Sequence, residues 1–354
     1  MKNSLKLLHF TDVHARGNNP KYRKDHFPTT ILEKLMEVGH IASEFKVDAG
    51  ICTGDLYDIP DVSNTIMCDV GRYLSVGFPH SERPLYGIIG NHDEFGQNPE
   101  FLSKTALGVH DADGVYNLIP PEGLVYKIQD EDENAINILI LGVHSTALMD
   151  HRLDDYIGRR TFIKNDIEIQ ADYVILCVHG FITDKRWPEG VPYTLINDIV
   201  KVTQVDMILT GHEHSGFGVV KRGGVTFCNP SSLGRLTASH GDMGILPKVA
   251  IINITVDRDG IDSDIRLVHL ECARPSEEVI DREELEKVKL QAENINTVKT
   301  QLADFRIKTI DPLVIVNEVA RLENENGFKF NDEVVAETVR RINQATVNAS
   351  SRKG

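Results

Sequence analysis

The chain has 354 residues and a formal net charge of −15, with 26% charged and 41% hydrophobic residues. That length can bury one large domain and an accessory, and the ordinary charged-to-apolar balance argues against disorder and membrane insertion. The acidic excess argues against a broad basic face for nucleic acid, whose non-specific affinity comes from Lys and Arg on phosphates. Met1-Lys2-Asn3-Ser4-Leu5 enters a strand pattern without an apolar signal segment. Cys52, Cys68, Cys177, Cys228 and Cys272 are odd in number and widely spaced, as reduced core residues are. A soluble cytoplasmic protein with no membrane association is the expectation.

In chain order, Leu7-Leu8-His9-Phe10 breaks into Asp12-Val13-His14. A helix is expected over Thr29–Phe45, with Ile31, Leu32, Leu35, Met36, Val38 and Ile41 on one side. Ala49-Gly50-Ile51-Cys52 then breaks into Gly54-Asp55, and Leu85-Tyr86-Gly87-Ile88-Ile89 into Gly90-Asn91-His92-Asp93. A strand over Ile136–Val143 ends at His144, and Val174-Ile175-Leu176-Cys177-Val178 breaks into His179-Gly180. A helix over Leu195–Val202 precedes Met207-Ile208-Leu209-Thr210, which runs into Gly211-His212-Glu213-His214. Further strands are expected at Val225–Asn229, Lys248–Val256 and Ile265–Leu270. Apolar and β-branched runs that end in Gly, Asp or Asn read as buried strands followed by turns, and their alternation with helices predicts an α/β domain with mixed sheets.

After Arg274-Pro275 the composition changes. Asp281 and Glu284 have capping-box spacing, and Leu285, Val288, Ala292, Ile295, Val298, Leu302 and Phe305 recur at helical intervals. Apolar stretches follow from Leu313 to Leu322 and from Asn331 through Ile342. Residues 275–354 are therefore expected to form a mostly helical appendage, its apolar stripes packing on the main domain more often than on a partner.

Any one of the polar segments is a common turn; their joint occurrence, each at the end of an apolar run, points to a metal site. Two divalent ions about 3.5 to 4 Å apart need roughly eight ligand contacts, a bridging carboxylate and open positions for water and substrate. Seven residues can supply them: Asp12, His14, Asp55 and His214 for one ion, and Asp55, Asn91, His179 and His212 for the other, with Asp55 bridging. Oxygen and nitrogen donors without cysteine suit Mn, Fe or Zn better than Ca, and Mg is a further candidate. A water between two such ions loses its proton near neutral pH and can attack phosphorus as hydroxide. His92, beside Asn91, is placed to assist the leaving oxygen, and Asp93 to orient that imidazole or to cap the turn.

Taken in order, these segments resemble the calcineurin-like metallophosphoesterases, whose pattern is D-x-H, G-D, G-N-H-D/E, H and G-H-x-H, over about residues 5 to 270. The resemblance implies a four-layer α/β/β/α sandwich of two mixed sheets, a catalytic domain over 1–274, and a dinuclear centre, commonly of manganese. Gly54-Asp55-Leu56-Tyr57-Asp58, Thr210-Gly211-His212-Glu213-His214 and Asn229-Pro230-Ser231-Ser232-Leu233 are similar to segments of SbcD-type and meiotic-recombination-eleven nucleases. That similarity implies a DNA exonuclease or endonuclease, with an SbcC-type ATPase or a second copy of the chain as partner of the appendage. Asp58 stands where the eukaryotic and archaeal nucleases carry His. Asp58-Ile59-Pro60 also departs from the Asp-Arg-Gly of protein Ser/Thr phosphatases. Small-molecule phosphodiesterases, including those for cyclic nucleotides, share the whole ligand set, and a non-catalytic scaffold is the alternative from another class.

Basic residues gather at Arg16 with Lys21, Arg23 and Lys24, at Arg159-Arg160 with Lys164, and at Lys185-Arg186. Arg16 and Arg186 are candidate phosphate contacts, against the plainer reading of solvated loop charge. Trp187, the only Trp, is a candidate to stack on an unpaired base or to anchor a loop. Arg235 is a candidate phosphate clamp or a surface ion pair, and His144 a candidate to face the cleft.

Overall fold

The computed structural model describes residues 3–130, 132–188, 190–237, 243–258, 260–284, 286, 287, 321–323, 325, 331, 333, 335–337 and 339–341. The chain divides into two units, Met1–Asp281 and Arg282–Gly354. In the second, the helical residues described include the ion pairs Arg321–Glu325 and Glu337 with Arg340 and Arg341, at the spacing that supports an exposed helix. The positions Leu285, Val288, Ala292, Ile295, Val298, Leu302 and Phe305 lie outside the described residues, as does 313–320.

The first unit begins with alternating strands and helices: β1 (Ser4–Phe10), α1 (Phe27–Glu44), β2 (Ala49–Cys52), α2 (Asn64–Gly77), β3 (Leu85–Gly87), α3 (Ala106–Ala112) and β4 (Asn117–Leu118). The four strands pair in parallel. Next come β5 (Leu124–Gln129), β6 (Ala135–Val143), the small hairpin β7 (Thr161–Lys164) and β8 (Ile167–Gln170), and β9 (Tyr173–Val178). β10 (Ile182–Thr183), β11 (Thr194–Leu195), α4 (Ile196–Ile199), β12 (Met207–Thr210), β13 (Gly218–Arg222) and β14 (Val225–Asn229) follow. The long hairpin β15 (Lys248–Asp257) and β16 (Gly260–His269) returns to the first sheet. The two large sheets have spatial orders β16-β15-β1-β2-β3-β4 and β13-β14-β12-β9-β6-β5, both mixed.

Alternation along the strands makes the layers. In β1, Leu5 and Leu7 face a core between the sheets with Ile51, Ile140, Ile175 and Ile252, whereas Leu8 and Phe10 face a second core under the helices with Ile31, Leu35, Val70 and Leu74. A third core packs Leu139, Leu176 and Ile208 of the second sheet against Tyr156, Ile196 and Ile199. Strands covered on both faces read as near-continuous apolar runs, and the result is the expected four-layer sandwich. Among the described residues, no helix is long and apolar enough to cross a membrane.

Differences from expectation have local causes. α1 starts at Phe27 because His26 caps it, its side chain accepting from Thr29 N. The unanticipated α2 is capped by Ser63 and buries Ile66, Val70 and Leu74; α1 and α2 touch through Gly39 and Gly77, where a Cβ on Gly39 would lie 2.6 Å from Gly77 Cα. The helix expected over Leu195–Val202 is only Ile196–Ile199, and β16 starts earlier than Ile265 because it pairs with β15 from Gly260 onward.

Lys34 is an apolar-face cation: fully buried in α1, it donates from Nζ to Leu233 O at 2.5 Å. Burial, then the nearby Arg235 and Arg23, lower its pKa to about 7. An unfolded chain would hold that proton to a much higher pH, so between pH 7 and the ordinary lysine range the unfolded state binds more protons and stability rises with pH. Relative to Lys34→Met, the wild type is expected to gain about 1 kcal/mol per pH unit between pH 7 and 9 in urea unfolding; a pH-independent difference would show that Lys34 keeps its charge when folded.

Candidate metal centre

Each candidate ligand follows the C-terminal end of a strand: Asp12 and His14 after β1, Asp55 after β2, Asn91 and His92 after β3, His179 after β9, and His212 and His214 after β12. β1, β2 and β3 are parallel, as are β9 and β12, so within each sheet the loops emerge at one edge. The backbone turns left-handed at Asp12, His14, Asp55 and His212, with φ of 51°, 50°, 52° and 71°. Such angles are uncommon outside glycine and persist only where the surroundings enforce them. Here the loops bind one another. Asp12 N donates to Gly54 O at 3.2 Å, His14 N to Asp55 O at 3.0 Å, and Gly234 N to Asp12 O at 2.9 Å. Ser232 ties the last loop to the first, its N donating to His214 O at 3.0 Å and its Oγ to Asp12 O at 2.9 Å. Gly90 presses directly on Asp55: a Cβ there would lie 2.1 Å from Asp55 Oδ1.

Asp12, His14, Asp55 and His179 are buried, whereas Asn91, His92, His212 and His214 are half-buried. His14 Nε2 lies 3.0 Å from His214 Nε2, 3.6 Å from Asp55 Oδ2 and 3.8 Å from Asp12 Oδ1. His179 Nδ1 donates to Thr53 O at 2.7 Å, which leaves Nε2 facing Asn91 Oδ1 at 3.0 Å and Asp55 Oδ2 at 3.3 Å. Asp55 Oδ1 accepts from His92 N at 2.9 Å, but Oδ2 is buried without a hydrogen bond. Imidazole, amide and carboxylate lone pairs thus converge with too few protons to separate them. Three groups have ligand atoms within 4.8 Å of one another: Asp12–His14–His214, His14–Asp55–His92 and Asp55–His179–His212.

The residues fit a pair of divalent cations. The donors are oxygen and nitrogen without thiolate, Asp55 belongs to two of the groups, and the half-buried members leave a side open. Electrostatics agree. Burial alone would raise the Asp55 carboxyl, but His179, His14 and His92 hold it well below the usual carboxylate range. Burial opposes charge on His179, yet Asp55 and Asp12 raise it to about 10, while burial and then His179 pull His212 down to about 4. The carboxylates therefore draw positive charge to the position a cation would take.

The model of the calcineurin-like phosphoesterase family matches residues 5–216, which include every candidate ligand. The chain belongs to the calcineurin-like phosphoesterase family. Metal-dependent phosphoester hydrolysis is accordingly its class of chemistry. No curated protein shows a significant match. Among solved structures, the calcineurin-like phosphoesterase YfkN from Bacillus subtilis is similar at 15% identity and a TM-score of 0.43, over 85% of this chain and 99% of that one. GAP50 of Plasmodium, described as the anchor in the inner membrane complex, is similar at 11% identity and 0.43, over 77% and 87%. A dimetal phosphatase from Danio rerio is similar at 13% identity and 0.40, over 74% and 96%.

Around the ligands of this calcineurin-like phosphoesterase, Arg16 pairs with Asp58 at 2.7 Å, and Asp58 Oδ1 lies 3.5 Å from His14 Nδ1. His144 Nδ1 accepts from Ile89 N at 3.2 Å, so it braces the loop that carries Asn91; burial lowers its pKa. Arg186 and Trp187 are exposed. Of the two roles open to Asp93 the structure shows the turn cap, and the expectation for Arg235 is corrected. Asp93 does not orient His92: its buried carboxylate accepts from Leu56 N, Tyr57 N and Gly90 N, capping the turn, while His92 Nδ1 donates to Asp58 O at 2.8 Å. Arg235 is no phosphate clamp, because it is fully buried and donates to Ile245 O, Ser276 Oγ and Arg274 O. Other basic candidates are also engaged within the fold. Arg23 pairs with Asp25 and Arg160 with Asp206, and Arg159 donates to Thr161 O and Pro121 O.

Sequence reasoning missed Asp58 as a brace of His14 and His92, although its place three residues after Asp55 was a visible signal. Partners that orient a metal-binding histidine typically change metal affinity 10- to 100-fold. Asp55→Ala is expected to abolish tight divalent-metal binding by calorimetry, and Asp58→Asn to weaken it about tenfold or more; full stoichiometry in Asp55→Ala would show that the groups bind ions independently of the shared carboxylate.

Proposed function

We propose that the protein is a manganese-dependent phosphodiesterase of nucleic acid, an SbcD-like DNA exonuclease or endonuclease. The observation that carries the hydrolytic reading is the convergence of Asp12, His14, Asp55, His92, His179, His212 and His214 into three groups at the strand ends, linked through His14 and Asp55. The DNA reading is supported by the SbcD-like segments Gly54–Asp58, Thr210–His214 and Asn229–Leu233, and by exposed Lys185, Arg186 and Trp187 in the segment after His179. A cytoplasmic location, an SbcC-type ATPase or a homodimer as partner of residues 275–354, and a catalytic domain over 1–274 belong to the same reading.

Two divalent ions held by Asp12, His14, Asp55, Asn91, His179, His212 and His214 would supply Lewis acidity toward phosphoryl oxygens and bring the pKa of water toward neutrality. The remaining work falls to the chain's own groups. Donation from His92 Nδ1 to Asp58 O fixes the ring and leaves Nε2 free, so that as an imidazolium the ring would give its Nε2 proton to the departing oxygen. The Arg16–Asp58 ion pair steadies Asp58 beside both His92 and His14. Asp55 Oδ1 holds the backbone of His92, so the carboxylate common to the two metal groups also sets where that imidazole stands.

A small-molecule phosphodiesterase is the second reading. It is favoured by the net charge of −15 and by the burial of Arg23 and Arg235, which takes those two residues from phosphate contacts. With Mn, the purified protein is tested in parallel on end-labelled single- and double-stranded DNA, cyclic nucleotides, bis(p-nitrophenyl) phosphate and a phosphomonoester. DNA cleavage is expected; hydrolysis of the small diesters alone would select the second reading, and no hydrolysis with metal bound would select a scaffold. His92→Ala is expected to lower turnover about 10²- to 10⁴-fold with the metal content by mass spectrometry unchanged, and full activity would remove His92 from the mechanism.

A further inference from the structure

Between His179 and the last ligand pair the chain makes an excursion that hydrolysis does not require. β10 and β11 pair in parallel, Ile182 with Thr194 and Thr183 with Leu195, and residues 184–193 lie between them. Asp150 ties both roots of the excursion together. Its Oδ2 accepts from Phe181 N at 2.7 Å, and its Oδ1 from Thr194 Oγ1 at 2.7 Å and from Tyr156 Oη at 2.5 Å. Asp150 itself adopts a left-handed φ of 64°, a conformation held against its own preference where the fold needs it.

From that anchored root a line of rings runs outward from the metal centre. Phe181 forms a backbone bridge with His212, and its ring stands edge-on to the imidazole at 5.8 Å and 85°. Trp187 folds back onto Phe181 at 4.9 Å and 80°, yet is 41% exposed. The indole is thus held in place on one side and open to solvent on the other, with exposed Lys185 and Arg186 adjacent in the chain. Large apolar rings are usually withdrawn from water. One fixed two ring contacts from a candidate ligand offers a π-face to a planar group attached to a phosphate at that centre, and base–aromatic stacking beside basic residues is how unpaired bases are held.

We propose that Lys185, Arg186 and Trp187, between β10 and β11, form the recognition arm of this centre, with the Trp187 indole stacking on a nucleobase of the phosphodiester substrate and Asp150 as the positioning residue that fixes the arm against His212. The assignment rests on the phosphodiesterase reading and adds to it the group that holds the base. It requires no large basic surface, in keeping with the acidic chain.

Because Trp187 is the sole Trp of the full chain, its fluorescence reports this arm alone. The Mn-loaded protein is titrated with thymidine 5′-monophosphate and, separately, with inorganic phosphate, while hydrolysis of bis(p-nitrophenyl) phosphate is followed in the same samples. Quenching by the nucleotide and not by phosphate is expected. Equal responses, or unchanged fluorescence at nucleotide concentrations that inhibit hydrolysis, would overturn the arm while leaving the phosphodiesterase intact; absence of hydrolysis would instead strike the reading beneath it. Trp187→Ala is expected to raise KM for a dinucleotide about tenfold with a much smaller change in kcat, and Trp187→Phe to recover most of the loss. Asp150→Asn should raise the same KM and increase acrylamide quenching of Trp187. A purely structural role would lower thermal stability and kcat on every substrate alike, without recovery by Phe.

Discussion

The left-handed turns at Asp12, His14, Asp55 and His212 are the constraint to which the rest of the molecule answers. Each costs on the order of 1 kcal/mol or more, a large sum beside the 5–15 kcal/mol that typically separates folded from unfolded chains. The three cores outweigh that cost and leave the turns little freedom. Strand pairing fixes where β1, β2 and β12 end, and the bonds from Gly234 and Ser232 to Asp12 O close the first loop from the far end of the domain. Burial adds a second cost, because Asp12 and Asp55 lie out of water beside imidazoles whose lone pairs oppose one another. A cation resolves that conflict, so metal binding is coupled to the stability of the edge and not only to its chemistry.

This coupling explains what was legible from residues alone. The seven candidate ligands could be picked out because a buried parallel strand and the turn after it leave a joint signature, an apolar run broken by Gly, Asp or Asn. The layered fold followed from the same signature together with the family resemblance. Long-range contacts had no such mark. Asp58 reaches His14 across the β1 and β2 loops, and Arg235 is buried by a segment about forty residues later in the chain, so neither function could be told from a surface charge by local pattern. Asp93 was ambiguous for another reason: a carboxylate one residue from an imidazole is as well placed to accept backbone N–H groups as ring N–H groups, and three backbone donors took it. Helix α2 was readable from Ser63 and the spacing of Ile66, Val70 and Leu74, and was overlooked.

The two sheets divide the labour. Loops of the first sheet sit above α1 and α2, and their polar neighbours are internal: Lys34 on Leu233 O, Arg23 on Asp25, Tyr57 on His110. They are suited to holding ligands still. Loops of the second sheet run through 144–160 and 179–195 with only short elements in them, and Asp150 ties the two together through Phe181 N and Thr194 Oγ1. Binding residues are commonly carried on loops set on a rigid scaffold, and here both sheets supply candidate ligands while the loop after His179 also carries Trp187.

Charge then limits how such a site meets a polyanion. A net charge of −15 repels phosphate at long range, but screening confines that repulsion to about 8 Å at physiological ionic strength. Inside that distance the field is set by local groups, and divalent ions in the centre together with Lys185, Arg186 and Arg16 would reverse its sign there. Arg23 and Arg235 are buried, and Arg159 and Arg160 are bonded to neighbouring carbonyl or carboxylate groups, which limits what these four can offer a long duplex backbone. On the proposed reading, a short footprint of one or two phosphates and an unstacked base would suit this surface, since chain ends and single-stranded segments present it without the cost of opening a duplex.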